Sequence, residues 1–234
     1  ALKDDVVAGR VVAFRHGPIR SSSPAFKIAV FTNPLGLAEQ DERLSLAARI
    51  LTREFVEANA GRSLADFQRA LFLARRAAEK ALASFPEFYV VTLSATTLGY
   101  KAMVLPDALP AVFPDLARAD LASSVVVFHQ RFSTNTWPQW RLAQPFRYLA
   151  HNGEINTVQG NRNWSRAREQ KFATRLIPNM DDVRPIVGTN GSDSMSLDNM
   201  VEGLVMGGAG LFRALRLVIP AAWQNVESMD ADIR

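Results

Sequence analysis

FHQRFSTNTWPQWRLAQPFRYLAHNGEINTVQGNRNW, residues 128–164, is the stretch from which the rest of this chain is best read. It opens at the end of an apolar run, SSVVVFHQ (123–130), and passes through polar, irregular residues to YLAH, Asn152 and Gly153. Asn-Gly between apolar-alternating runs is a hairpin-turn signal. The same pair suits an oxyanion hole, because a glycine N–H without a Cβ in the way and an asparagine amide are two donors for a developing negative charge. Arg131 stands at the end of the apolar run. A guanidinium there serves either a structural ion pair or a two-point fork to a carboxylate. Further on, Asp193 lies in TNGSDSMSLDN, ahead of a helical pattern. It reads as an N-cap or as an anion for an ammonium group. Taken together, Arg131, Asp193, Asn152 and Gly153 supply what free glutamine requires: a cation for its carboxylate, an anion for its ammonium and donors for its amide oxygen.

The bulk composition is that of a globular protein. The chain has 234 residues, 48% hydrophobic and 21% charged, long enough to bury a core as one large domain or two small ones. No apolar run approaches the ~18 residues that span a bilayer. Lys3, Asp4 and Asp5 precede no long apolar segment, so the start does not read as a signal peptide. A cytoplasmic protein without membrane association is expected. There is no cysteine, which excludes disulfides, thiolate metal sites and a cysteine nucleophile within these residues. The net charge is +4 and the pI about 9.8. The arginines are dispersed among Asp and Glu, so a solvated basic surface outweighs a nucleic-acid footprint. The one stretch that argues otherwise is NRNWSRAREQK (161–171), which mixes arginine with Trp164.

Along the chain, residues 6–13 and 26–32 are short and β-rich, with a Ser/Pro loop between them. Apolar spacing predicts helices over 37–60 and 64–82, Gly61 punctuating them and Ser63 capping the second. EFYVVTLS (87–94) and TLGYKAMV (97–104) read as a hairpin pair. Residues 105–118 read as a proline-punctuated turn or short helix. ASSVVVFHQ (122–130) reads as a buried strand and FRYLAH (146–151) as another. Residues 157–172 predict a polar helix. Residues 195–206 and 211–219 predict two apolar helices with Gly207, Gly208 and Gly210 between them. Strands and helices in separate runs indicate an α+β fold. The P-loop, G-x-S-x-G and H-E-x-x-H motifs are absent. His16, His129 and His151 lack metal-ligand spacing, so no metal is expected.

The 128–164 stretch closely resembles a segment of the class II glutamine amidotransferase domain of the glutamate synthase family. GSDSMSLDN (191–199) and LVIPAAWQN (217–225) follow in the family's order, with Ala221 where the family usually has Glu. FYVVTLSATTLGYKAMV (88–104) resembles its preceding strands. The resemblance is strong over 67–230 and weak over 1–60, and the whole of 1–234 is taken as one such domain. It implies a four-layer αββα sandwich of the N-terminal-nucleophile hydrolase type, incomplete at its N-terminus. The implied reaction is hydrolysis of L-glutamine to glutamate and ammonia, for reductive amination of 2-oxoglutarate. Arg131 falls on the residue that holds the glutamine carboxylate, Asp193 on the one that holds its ammonium, and Asn152 and Gly153 on the oxyanion pair. His151, Glu154 and Asn156 support them, and Thr134 and Asn135 shape the pocket. No cofactor is implied in this chain. FMN and an iron–sulfur cluster belong to a synthase region of the same polypeptide, whose electrons come from NADPH or ferredoxin, with a small NADPH-oxidising subunit as a further partner. The family's nucleophile is an N-terminal cysteine whose own α-amino group acts as base. This sequence starts at Ala1. A truncated domain, inactive alone, is therefore expected, the alternative being a non-catalytic glutamine-binding module.

Overall fold

Each of the two short β-rich runs overlaps a strand, and the two strands pair. In the computed structural model, β1 (Val12–Arg15) and β2 (Lys27–Phe31) run antiparallel, with Val12 opposite Val30 and Arg15 opposite Lys27. The structure describes residues 12–15, 27–31, 61–84, 89–102, 104–119, 121–130, 139–151, 154–220 and 226–231. The helix predicted over 37–60 lies outside them. The chain forms two units, Ala1–Asn152 and Gly153–Arg234.

In the first unit, α1 (Leu64–Ala81) begins where Ser63 predicts it. The Ser63 hydroxyl accepts from the Asp66 N–H at 3.2 Å and donates to the Asp66 carboxylate at 2.7 Å. Phe67, Leu71, Ala74 and Ala78 recur at helical spacing and are buried. The helix packs on β3 (Tyr89–Ser94), which pairs antiparallel with β2 and completes a sheet of order β1-β2-β3. Ala29 faces Thr92 and Val30 faces Val90, so Val91 is the extra residue of a bulge. Tyr89, Val90, Val91, Thr92 and Leu93 are all buried.

A charged cluster lies beside this core. Both carboxylate oxygens of Glu79 accept from Arg75, at 2.7 and 2.9 Å, while Arg76 and Arg147 approach to 3.1 and 3.4 Å. Arg147 also donates to the Val90 carbonyl at 2.6 Å, tying its loop to the sheet. Burial alone would raise the Glu79 carboxyl. The guanidiniums of Arg75, Arg147 and Arg76 outweigh it and hold the group at about 2, against an ordinary 4.5.

Three predicted strands are not strands. After β3 the chain turns on the Ser94 hydroxyl, which accepts from the Thr96 and Thr97 N–H groups. The Gly99 N–H then goes to the Thr92 side chain at 3.1 Å, not to a strand backbone. Residues 97–102 consequently form no second arm of a hairpin. Residues 121–130 are irregular and exposed, Val126 at 75% and Phe128 at 83%. There the Ser123 hydroxyl donates to the Val125 carbonyl, bending the run locally. Residues 146–151 form a loop in which the Phe146 N–H reaches the Leu149 carbonyl at 2.9 Å. Between them, α2 (Leu109–Val112) sits among proline-led 3₁₀ turns, as the proline spacing predicts.

The second unit is helical, with α3 (Val158–Glu169), α4 (Asp193–Met206) and α5 (Leu211–Val218). Ile177, Val183, Val187, Val201 and Ala214 are its buried apolar residues. Arg184 closes the end of α3, donating to the Glu169 carbonyl at 3.0 and 3.2 Å. Gly207 and Gly208 end α4 in a Schellman turn: Ala209 N–H bonds to the Leu204 carbonyl and Gly208 N–H to that of Val205. Gly208, at φ +106°, supplies the left-handed residue the turn requires. The expectation that α4 is simply apolar is corrected by its buried face, where Ser194, Asp198 and Glu202 lie beside Val201.

Candidate active site

Asp193 is the best-defined member of the predicted site. It is not the N-cap. Ser192 caps α4, its hydroxyl accepting from the Met195 N–H at 3.0 Å, and Asp193 is the first helical residue. A carboxylate there is favoured by the N-terminal end of the helix dipole. One of its oxygens accepts from the Ser194 N–H at 2.6 Å. The other accepts from the Ile155 N–H, also at 2.6 Å. Ile155 stands between Glu154 and Asn156 and two residues after Gly153. The Asp193 carboxylate is therefore held against the backbone of Ile155, within the 128–164 stretch.

The loop that carries Asp193 is braced by Arg162 of α3. This guanidinium donates to the Gly191 carbonyl at 2.8 Å, to that of Ser192 at 3.3 Å and to the Ser196 hydroxyl at 3.1 Å. Arg162, in the stretch whose mix of arginine and Trp164 argued for nucleic acid, is thus spent within its own unit. Glu154 and Asn156 are exposed. The Asn156 carbonyl accepts from the Thr157 hydroxyl at 2.6 Å, and Thr157, at φ +59°, turns the chain into α3.

In the first unit, His151 is half-buried. Its backbone carbonyl accepts from the Gln144 amide at 2.6 Å, and its N–H donates to the oxygen of the same amide. Arg131, Thr134, Asn135, Asn152 and Gly153 lie outside the described residues. Sequence reasoning passed over Gln144 and Arg162. Both act by gripping backbone at a distance, which leaves no periodic or spacing signal. Among the described residues no group of side chains could hold a metal ion, and no helix is long and apolar enough to cross a membrane.

The family model for class-II glutamine amidotransferases matches residues 39–234. The chain belongs to the class-II glutamine amidotransferases. It shares 42% identity over 167 residues with the large chain of NADPH glutamate synthase from Azospirillum brasilense, covering 70% of this chain and 11% of that one. Against the NADH glutamate synthase of Saccharomyces cerevisiae the figures are 40% over 170 residues, 72% of this chain and 8% of the yeast protein. The ferredoxin-dependent glutamate synthase 2 of Arabidopsis thaliana chloroplasts is 40% identical over 164 residues, covering 68% of this chain and 10% of that protein. The chain thus spans about a tenth of the length of the relatives it matches. As a class-II amidotransferase it belongs to the N-terminal-nucleophile hydrolases, and its described parts mix helices with a small antiparallel sheet.

Proposed function

We propose that this chain is the glutaminase part of a glutamate synthase, residues 1–234 forming one class II amidotransferase domain of a longer polypeptide. It would bind L-glutamine and support its hydrolysis to glutamate and ammonia, the ammonia serving the reductive amination of 2-oxoglutarate. The observation that carries this reading is the Asp193 carboxylate, fixed at the start of α4 and bonded to the Ile155 N–H just beyond Gly153. The family match over 39–234 gives the reaction class.

In this reading the Arg131 guanidinium forks the glutamine α-carboxylate and Asp193 holds the α-ammonium. Asn152 and Gly153 donate to the amide oxygen as it becomes an oxyanion, an interaction strongest in the transition state. Removing one such donor typically costs roughly 10²–10³ in rate. His151, Glu154, Thr134 and Asn135 complete the pocket. The nucleophile is the thiol of an N-terminal cysteine in the longer polypeptide, its α-amino group taking the proton. The domain is a four-layer αββα sandwich. FMN and an iron–sulfur cluster belong to the synthase region. With no cysteine among these 234 residues, thiolate ligands for a cluster lie outside them. A small NADPH-oxidising subunit and a cytoplasmic setting complete the reading, with no nucleic-acid or membrane partner.

Calorimetry tests the pocket without requiring turnover. L-glutamine titrated into the folded chain gives saturable heat, and Asp193→Ala weakens the affinity at least tenfold. Equal affinity in the two proteins, or no heat from the folded wild type, would overturn the assignment of Asp193.

A further inference from the structure

Arg162 clamps the entry to α4 from a different helix. Its Nη2 donates to the Gly191 carbonyl at 2.8 Å and to that of Ser192 at 3.3 Å, and its Nε donates to the Ser196 hydroxyl at 3.1 Å. Gly191, at φ +132°, turns the chain in a conformation that residues with a Cβ rarely adopt. The peptide unit that contains the Ser192 carbonyl also contains the nitrogen of Asp193, and that unit is planar. The same carbonyl accepts from the Ser196 N–H at 3.1 Å and from the Ser196 hydroxyl at 3.0 Å, and Arg162 adds to them from α3. The carboxylate end of Asp193 is fixed separately. Its Oδ2 accepts from the Ile155 N–H and its Oδ1 from the Ser194 N–H, both at 2.6 Å. All of these residues belong to the second unit. The backbone from which Asp193 departs is thus set by a guanidinium, and its carboxylate by two N–H groups.

We propose that Arg162 is a positioning residue for recognition of the substrate's α-ammonium, acting through the Gly191 and Ser192 backbone on Asp193. The inference rests on the proposed assignment of Asp193 to the glutamine ammonium. A carboxylate held in place before the ligand arrives binds a cation without first losing freedom of its own, and the difference appears as affinity. A guanidinium suits the task because it is planar and aims several donors in fixed directions, so it grips two successive carbonyls and a hydroxyl at once. A lysine would have to direct all its donors from one nitrogen. Arg162 touches no substrate atom in this role.

The test titrates L-glutamine calorimetrically into the folded 234-residue chain and into Arg162→Met, Arg162→Lys, Asp193→Ala and the double variant Arg162→Met with Asp193→Ala, each checked for a cooperative melt. Arg162→Met is expected to weaken the affinity about three- to tenfold, and Arg162→Lys less. In the Asp193→Ala background the same substitution adds less than about twofold, because the group it positions is gone. Glutaramate, which is glutamine without its ammonium, reports on the rest of the pocket, and Arg162→Met leaves its affinity within about twofold. If Asp193→Ala keeps the wild-type affinity, or the folded wild type takes up no glutamine, the assignment of Asp193 fails and the role of Arg162 with it. If Asp193→Ala is weakened while both Arg162 variants stay within about twofold of the wild type, the assignment stands and the positioning role is wrong. Equal losses for glutamine and glutaramate, an undiminished loss in the Asp193→Ala background, or loss of the cooperative melt in both Arg162 variants assigns Arg162 to the scaffold and overturns the proposal.

Discussion

Glu79 is the anion shared by three guanidiniums in the first unit. Arg75 is 3% exposed and Arg147 8%, so neither can hand its charge to water. Lys101, also buried, spends its ammonium over the rings of Tyr89 and Phe146 at 5.2 and 4.7 Å. Replacing Glu79 with alanine leaves buried cations without their counter-ion, a change that typically destabilises by about 3–5 kcal/mol. The same carboxylate makes stability depend on pH. Its folded value, about 2, lies below its ordinary 4.5. Its contribution is therefore fully present above about pH 4.5 and lost as pH falls through 2. A shift of that size corresponds to about 3 kcal/mol. Denaturant unfolding at pH 6 and pH 3 measures it: the wild type loses stability between them, and Glu79→Ala loses less. An equal loss in both proteins would remove Glu79 as the source.

At the scale of elements, α1 and β3 depend on each other through Gln68. Its amide donates to the Ser94 and Thr96 hydroxyls at 2.7 and 2.8 Å and accepts from the Ala95 N–H at 3.0 Å. Gln68→Ala removes three bonds at once, two of them partly buried and one exposed, and is expected to cost about 2 kcal/mol. The measurement is the urea midpoint, which falls while the m-value stays constant. A midpoint unchanged within error would mean that water replaces the amide at no cost. Elements such as α1 were legible in the sequence because their signals are local. Ser63 and Asp66 cap α1 from within its own first turn, and Gly208 ends α4 in a conformation other residues avoid. The strands expected at 97–104, 122–130 and 146–151 were misread for one shared reason. An apolar or alternating run specifies a strand only when another backbone accepts its hydrogen bonds. Here side chains take a backbone group within each run: Thr92 that of Gly99, Ser123 that of Val125 and Gln144 those of His151.

For the molecule as a whole, the candidate site is a reading of residue types, of which Arg131, Thr134, Asn135, Asn152 and Gly153 lie outside the described residues. Asp193 and the Asn152 and Gly153 pair stood out because few other residues supply that chemistry. The clamps did not, since Gln144 reaches seven residues ahead and Arg162 about thirty. What the sequence states outright is the absence of cysteine from all 234 residues. Glutamine hydrolysis in this family runs through a thiolate, so binding and bond cleavage are expected to separate in this chain. A glutamine analogue with a chloroketone in place of the amide reads out the separation. A thiolate displaces its chloride and forms a carbon–sulfur bond, adding one adduct to the mass of the protein. Intact-mass spectrometry is expected to show no adduct on the 234-residue chain at stoichiometric reagent. On the proposed reading, a longer polypeptide that carries this domain with its N-terminal cysteine gains one, and excess L-glutamine blocks the gain. An adduct on the 234-residue chain, mapped between residues 131 and 193, would mean that another side chain in the pocket is nucleophilic. The pocket would then not need its cysteine to react.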